Sequence, residues 1–106
     1  MHPDTRGALA LYAAAAVADF ATTYVALGLG GRELNPRVAE MLGRPLHPAA
    51  ELLFFSLLAL LADLADRVGE RGLGRRGCGS LPAVLAALIR LSAALNNAEV
   101  ILRLAP

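Results

Sequence analysis

The sequence contains few charged residues for its length, and it has no lysine at all. Only 18% of its 106 residues are charged, whereas 57% are hydrophobic, and the mean hydropathy is +0.55. A domain this small has a large surface relative to its volume, so in water it needs a largely polar exterior. Soluble domains contain roughly 45–50% apolar residues. Water is therefore not the expected solvent for most of this surface.

Other scarcities exclude whole classes of site. The single cysteine, Cys78, excludes an internal disulfide framework and a cysteine-based zinc site. The net charge of +1 provides no field for attracting nucleic acid, so no nucleic-acid partner is expected. No serine or cysteine lies in a nucleophile motif, and the glycine-rich segment 69–79 lacks the lysine and hydroxyl placement of a phosphate-binding loop. We expect no cofactor and favour a protein that is not an enzyme.

Three long apolar stretches make up most of the chain, at residues 8–30, 48–65 and 81–104. As helices they would reach about 27–36 Å, enough to cross a hydrocarbon core of roughly 30 Å. They are rich in alanine and leucine and lack an alternation of period two, which favours helices over strands. We therefore predict an all-α fold. Residues 1–106 would form one integral-membrane domain, in which three transmembrane helices make a small bundle.

The ends of these stretches carry residues that are typical of helix boundaries. Gly30 and Gly31 predict the end of the first helix. Pro48 suits the first turn of the second helix, and Ser80 predicts the N-cap of the third. Between the first two helices, residues 36–45 mix apolar and charged side chains, which predicts a short amphipathic segment in the membrane interface.

Two alternatives to this arrangement stay open. The triplet Ala16-Val17-Ala18 resembles the small-residue cleavage site of a signal peptide, although the apolar stretch continues well beyond it. A soluble three-helix bundle is the other alternative, and it would draw its polar surface from a few charged residues. These are Asp63, Asp66, Arg90 and Glu99.

The arginines give a weak preference for one orientation in the membrane. With three spans, the N-terminus and the second loop share one side, and the arginines are divided almost evenly between the two sides. The dense basic segment 67–76 nevertheless favours a cytoplasmic position for that side. We therefore predict a multi-pass protein of the cell membrane with a cytoplasmic N-terminus.

Polar side chains inside the first two predicted spans carry functional information. An ionisable group within a span costs roughly 2.5–3.5 kcal/mol to insert, so it is expected to face protein or a wet cavity. Asp19, Thr22 and Thr23 lie on one face of the first helix, where they form either a packing seam or a site. The second span carries its acidic residues near its ends, where hydration is expected: Glu51, Asp63 and Asp66.

The third span is the most polar and has two polar faces. Arg90 and Asn97 lie on one side, and the opposite side carries Ser92, Asn96, Glu99 and Arg103. Such a helix suggests the centre of a bundle or an oligomer contact. Arg90 is the deepest cation and is expected to pair with Asp19 or Asp63, which would offset two insertion penalties at once.

One segment resembles a known signature. Asp19-Phe20-Ala21-Thr22-Thr23, followed by 28–36, is similar to domain of unknown function 5658, a group of small prokaryotic membrane proteins. The match is dense over about twenty residues, and the pair Asn96-Asn97 resembles the family less specifically. The family pattern continues after the first span through Glu33, Asn35 and Pro36. The resemblance implies a multi-helix membrane protein and no known reaction.

Three function classes follow from these patterns. The favoured one is a structural, interaction or assembly component with a polar helix-bundle core, acting as a homo-oligomer or with a membrane-protein partner in the lipid bilayer. The alternative is an oligomeric transporter or ion-conducting subunit, in which Asp19, Arg90 and Asn97 line a midplane site. A weaker alternative is an intramembrane metal-dependent enzyme that uses Glu33, Glu99 and His47. Because these residues match no metal-binding motif, no bound metal is expected and no catalytic residue is assigned.

Overall fold

The computed structural model describes residues 1–31, 39–40 and 42–106, and the regular secondary structure in this part of the chain is helical. Its three long helices are α1 (Pro3–Gly28), α2 (Leu46–Val68) and α3 (Ser80–Leu104). A π-helical turn, Gly69–Leu73, continues α2. The three helices pack together, so the predicted all-α bundle is confirmed.

The first helix begins earlier than the hydropathy of the sequence indicates. α1 starts at Pro3, ahead of the predicted start at residue 8, because His2 caps it. The ring Nδ1 of His2 accepts a hydrogen bond from the backbone N–H of Asp4 at 3.1 Å, and proline suits the first position of a helix. At the other end the chain leaves the helix through Gly30, whose φ of +99° favours glycine.

Other boundary predictions need correction or lie outside the described residues. Ser80 is the first residue of α3 instead of its N-cap. Its hydroxyl donates a hydrogen bond to the Gly77 carbonyl at 2.7 Å, which ties down the preceding turn. Of the amphipathic segment predicted at 36–45, residues 36–38 and 41 lie outside the described part of the chain.

α1 and α3 lie side by side in the same direction, and α2 runs antiparallel to both. At one end, hydrogen bonds join Thr5 of α1, Asp66 of α2 and Gly79 immediately before α3. Halfway along, the Arg90 side chain of α3 reaches the backbone carbonyl of Ala16 in α1. α1 packs along α3 over most of its length, whereas α2 contacts the pair less extensively.

The packed interior is small and rich in alanine. Its buried members are Ala8, Leu9, Tyr12, Leu58, Ala62, Ala83 and Ala87. Small side chains let helix backbones approach closely, which is how helices pack where no hydrophobic effect drives them together. The approach is closest at Gly79, where an added Cβ would overlap the carbonyl oxygen of Ala62.

The outer surface of the bundle is apolar. Large aliphatic side chains point away from the interior on the second and third helices, as in Leu60 (68% exposed), Ile89 (69%) and Leu102 (80%). Each helix is long and apolar enough to cross a membrane. Such a surface is unfavourable in water and favourable in lipid. The fold is therefore compatible with a small membrane protein.

The close approach at Gly79 predicts a position-specific loss of stability. We expect Gly79→Ala to separate α2 from α3 and to reduce the free energy of unfolding by about 1–3 kcal/mol, as overpacking does. Thermal unfolding in detergent micelles, followed by circular dichroism, would measure the change. Gly7→Ala is the matched control, because a Cβ at this exposed position in α1 meets nothing within 4 Å. Equal melting temperatures for the two variants would contradict the prediction.

Candidate functional site

A single guanidinium group joins the three helices near the middle of the bundle. Nε of Arg90, in α3, lies 2.9 Å from Oδ2 of Asp19 in α1. Nη2 of Arg90 lies 2.7 Å from Oε1 of Glu51 in α2. The three side chains are 18–23% exposed, so each charge is largely withdrawn from the surroundings. The two carboxylates therefore share the same arginine as a counter-charge.

The structure distinguishes between the two expected partners of Arg90. The predicted pair with Asp19 is present, whereas Asp63 pairs with Arg67 at 3.1 Å, one turn further along its own helix. Glu51, which was expected to reach the interface, contacts Arg90 instead. The reason is that α2 begins at Leu46, which places Glu51 beyond the first turn and against α1 and α3.

Asn97 extends this network by one helical turn along α1, beyond Asp19. Its amide Nδ2 lies 3.0 Å from Oδ1 of Asp19, 3.1 Å from Oγ1 of Thr22 and 3.0 Å from Oγ1 of Thr23. Both threonine hydroxyls donate to backbone carbonyls, those of Ala18 and Asp19, at 2.7 Å. Their lone pairs are thereby free to accept from the amide, which carries two protons. The predicted polar seam of α1 is thus the surface that receives Asn97.

Tyr24 and His47 connect the ion pairs to the far end of the bundle. The Tyr24 hydroxyl lies 2.8 Å from Nδ1 of His47 and accepts a hydrogen bond from the backbone N–H of Gly43 at 2.9 Å. Nε2 of His47 lies 3.9 Å from Oε1 of Glu51. The imidazole is 5% exposed, and the Phe20 ring packs 4.6 Å from it. A polar chain therefore runs from Tyr24 through His47 and Glu51 to the arginine.

The sequence contained a signal for this extension that composition alone does not give. His47 and Glu51 are separated by four residues, as are Phe20 and Tyr24, and residues at this spacing lie on the same face of a helix. The first pair therefore predicts a polar face on α2, and the second predicts an aromatic face on α1. Which faces meet depends on the rotation of α2 about its axis, and the sequence does not specify that.

Tyr12 closes the cluster on the side opposite Tyr24. Its side chain is 1% exposed, and its ring lies 6.1 Å from that of Phe55. The hydroxyl faces Arg90, yet it makes no hydrogen bond to a described residue within ordinary distance and angle limits. Beyond Tyr12 the interior is lined by apolar side chains, beginning with Ala8 and Leu9.

A second polar network lies at the other end of the bundle, around Asp66. The expectation that Asp66 is hydrated is wrong, because its side chain is buried at 6% exposure. Its carboxylate accepts hydrogen bonds from the Thr5 hydroxyl at 2.8 Å, the Gly79 N–H at 2.8 Å and the His2 N–H at 3.1 Å. Since α1 starts at Pro3 and α2 continues past Asp66, the ends of all three helices meet there.

Two of the predicted core residues lie apart from the central cluster. Asn96 and Glu99 are exposed on the face of α3 opposite Arg90, and Glu99 pairs with Arg103 of its own helix. Glu33, Asn35 and Pro36 lie outside the described residues. If the loop after α1 folds back, Glu33 and Asn35 would meet Asn96 and Glu99 near one membrane face, and this stays a prediction.

The described part of the chain contains no cluster of side chains that would support the metal hypothesis. Among these residues, no group of three or more His, Cys, Asp or Glu side chains could hold a metal ion. His47 is buried against the aromatic rings of α1, whereas Glu99 lies on the outer face of α3. Glu33, the third residue of that hypothesis, lies outside the described residues.

Comparison with known proteins leaves the family open. No family model, no curated protein and no solved structure matches the chain. The resemblance to domain of unknown function 5658 stays a prediction that rests on the residues quoted above.

The shared arginine predicts an unusual order of stabilities among variants. We expect Arg90→Met to cost about 3–5 kcal/mol of unfolding free energy, because it removes the cation that two largely buried carboxylates share. The triple variant Asp19→Asn, Glu51→Gln, Arg90→Met removes all three charges and should be more stable than Arg90→Met alone. Unfolding in mixed detergent micelles, followed by circular dichroism, would measure both.

The control for this comparison is Arg103→Met. Its guanidinium is 74% exposed and pairs only with Glu99 among the described residues, so the substitution should change the unfolding free energy little. If Arg90→Met were as mild as Arg103→Met, the central ion pairs would not hold the helices together.

Proposed function

We propose that this chain is a multi-pass protein of the cell membrane with a structural role. In this view it is an assembly component, in which buried polar side chains hold three helices in a fixed register. The lipid bilayer surrounds it, and its outer surface is presented to a second copy or to another membrane protein. The observation that carries the proposal is the ion pairing of Arg90 with Asp19 and Glu51 across all three helices.

The internal pairing of the cluster supports a structural role. The charged groups at its centre are matched within the chain: Arg90 with both carboxylates, and Asp19 also with the amide of Asn97. A site built for a charged substrate would be expected to leave donors or acceptors directed into an open cavity. Buried polar groups that are satisfied inside a protein serve best as devices for fixing register, as they do in coiled coils.

The position of the basic turn supports a cytoplasmic N-terminus. His2 and Thr5 contact the end of α2 and the turn before α3, so the N-terminus lies at the same end of the bundle as segment 67–76. That segment contains four arginines, and the positive-inside rule places such basic loops on the cytoplasmic side of the membrane. The four arginines are Arg67, Arg71, Arg75 and Arg76.

Membrane fractionation tests the first part of the proposal. We expect the full chain to remain in the membrane pellet after a carbonate wash, because three apolar helices insert far more firmly than a surface-bound protein. A peripheral membrane protein carried through the same wash provides the control and should be released. Recovery of this chain in the supernatant would contradict the proposal.

A second candidate function, proton or ion conduction by an oligomer, is favoured by one observation. The polar chain from Tyr24 through His47 to the arginine leads from one end of the bundle to its middle. The rest of the distance is apolar, since alanines and leucines fill the interior between Tyr12 and Thr5. That interval is about 10 Å at 1.5 Å per residue. A path through a single copy would stop there, so conduction needs an oligomer.

Substitution of Asp19 separates the two candidates. In the structural role, Asp19→Asn keeps a side-chain oxygen for Asn97, and Glu51 still pairs with Arg90, so assembly should be retained. In a conducting role, the same change should abolish proton flux into reconstituted vesicles that contain a pH-sensitive dye. Asp63→Asn, which lies outside the cluster, is the control. Flux that Asp19→Asn lowers and Asp63→Asn does not would contradict the structural role.

A further inference from the structure

α3 presents a polar stripe on the side that faces away from α1 and α2. We name it the outer stripe, and it consists of Leu85, Leu88, Ser92, Asn96, Glu99 and Arg103, all of them exposed. Successive members are three or four residues apart, so they lie on one face of the helix. The inner face carries Arg90 and Asn97, which are already engaged with the other helices. The outer stripe is therefore a separate feature from the central cluster.

The polar part of the outer stripe lies deep in the candidate span. Ser92 is the central residue of the 25-residue helix α3. Asn96 lies one turn further on, about 6 Å from the centre, and Glu99 lies about 10 Å from it at 1.5 Å per residue. Both distances fall within the half-thickness of roughly 15 Å of a hydrocarbon core. Lipid headgroups are therefore remote from Ser92 and Asn96.

Asn96 has no hydrogen-bond partner in the described part of the chain. By contrast, the exposed hydroxyl of Ser56 in α2 satisfies itself by donating to the Leu52 carbonyl at 2.9 Å. A carboxamide carries two donors and an acceptor, and lipid tails offer it no partner. Glu99 has its own counter-charge in Arg103. Within the described part of the chain, the carboxamide of Asn96 is thus the group on this stripe that is open to a partner.

We propose that the outer stripe of α3 is the contact surface between two copies of this chain, and this rests on the proposed assembly role. Two copies in the same orientation, related by a two-fold axis along the membrane normal, place each Asn96 opposite its counterpart. A carboxamide is complementary to itself in this arrangement, because the N–H of one donates to the oxygen of the other. Each Glu99 arrives already neutralised by its Arg103, so no net charge repels the second copy.

Leucines in and beside the outer stripe fit this partner. Leu85, Leu88, Ser92, Leu95, Glu99 and Leu102 are separated alternately by three and four residues. That alternation is the heptad spacing with which two helices interlock. Asn96 borders this series next to Leu95, where a polar contact between copies would fix their register. The leucines supply the packing, and Ser92 lets the two helices approach closely at the centre.

Sedimentation of the purified full chain in density-matched detergent tests the proposal. The chain should form dimers, and Asn96→Leu should raise the dissociation constant roughly 3- to 30-fold, the range expected for an interhelical hydrogen bond within a membrane. Asn96→Gln retains a carboxamide and should restore part of the affinity. Ser56→Leu, at an exposed position whose hydroxyl is already satisfied, should leave the affinity unchanged. A chain that stays monomeric, or equal affinities for all variants, would overturn the proposal.

Disulfide trapping in native membranes locates the contact. In a Cys78→Ser background, Leu88→Cys should form cross-linked dimers under mild oxidation, whereas Leu60→Cys on the outer face of α2 should not. Dimers trapped through Leu60→Cys alone, or cross-linking only to a different membrane protein, would overturn the proposal.

The two proposals fail in different ways. If the chain stays in the membrane and depends on Arg90 for its stability, yet remains monomeric, then only the dimer proposal is wrong. If Asn96→Leu unfolds the chain as Arg90→Met is expected to do, then Asn96 serves the bundle itself and the outer stripe is not a contact between copies.

Discussion

The whole arrangement depends on one guanidinium group that is shared by two carboxylates. Arg90 contributes a single positive charge, and Asp19 and Glu51 approach it from two different helices. A carboxylate in a dry interior needs such a counter-charge, and both of these carboxylates take it from Arg90. Because the arginine sits halfway along α3, its pairing fixes the depth of α1 and of α2 at the same time. Asn97 adds a second point of contact to α1, which also fixes the rotation of these two helices.

Two polar networks are separated by a dry interval in this bundle. The central network reaches from Tyr24 to Tyr12, and the second surrounds Asp66 where the helix ends converge. Alanines fill the space between them and bring the backbones close together. The apolar packing supplies contact area but little directional information, since alanine surfaces can slide past one another. The polar networks at the middle and at one end supply that direction, which is consistent with the proposed structural role.

The sequence allowed the helices and one ion pair to be predicted. It did not show which face of α2 contacts the other two helices. Hydropathy and length identify the three helices, and depth along the chain leaves Asp19 and Asp63 as candidate partners for Arg90, of which the structure shows Asp19. Glu51 and Asp66 were assigned to hydrated ends because they lie near the boundaries of an apolar stretch. In the structure α2 begins before that stretch and continues after it, so both residues become interior. Helix ends set by a histidine cap or a π-helical turn leave little trace in hydropathy.

The parallel packing of α1 against α3 has a consequence for biosynthesis. The two carboxylates belong to the first and second helices, and their common cation belongs to the third. During synthesis both acidic side chains therefore emerge before the arginine with which they pair. The last helix brings the arginine that both side chains share, and this pairing lowers the cost of their insertion. The ion pairs that fix the depth of the first two helices therefore form only once the third helix has arrived.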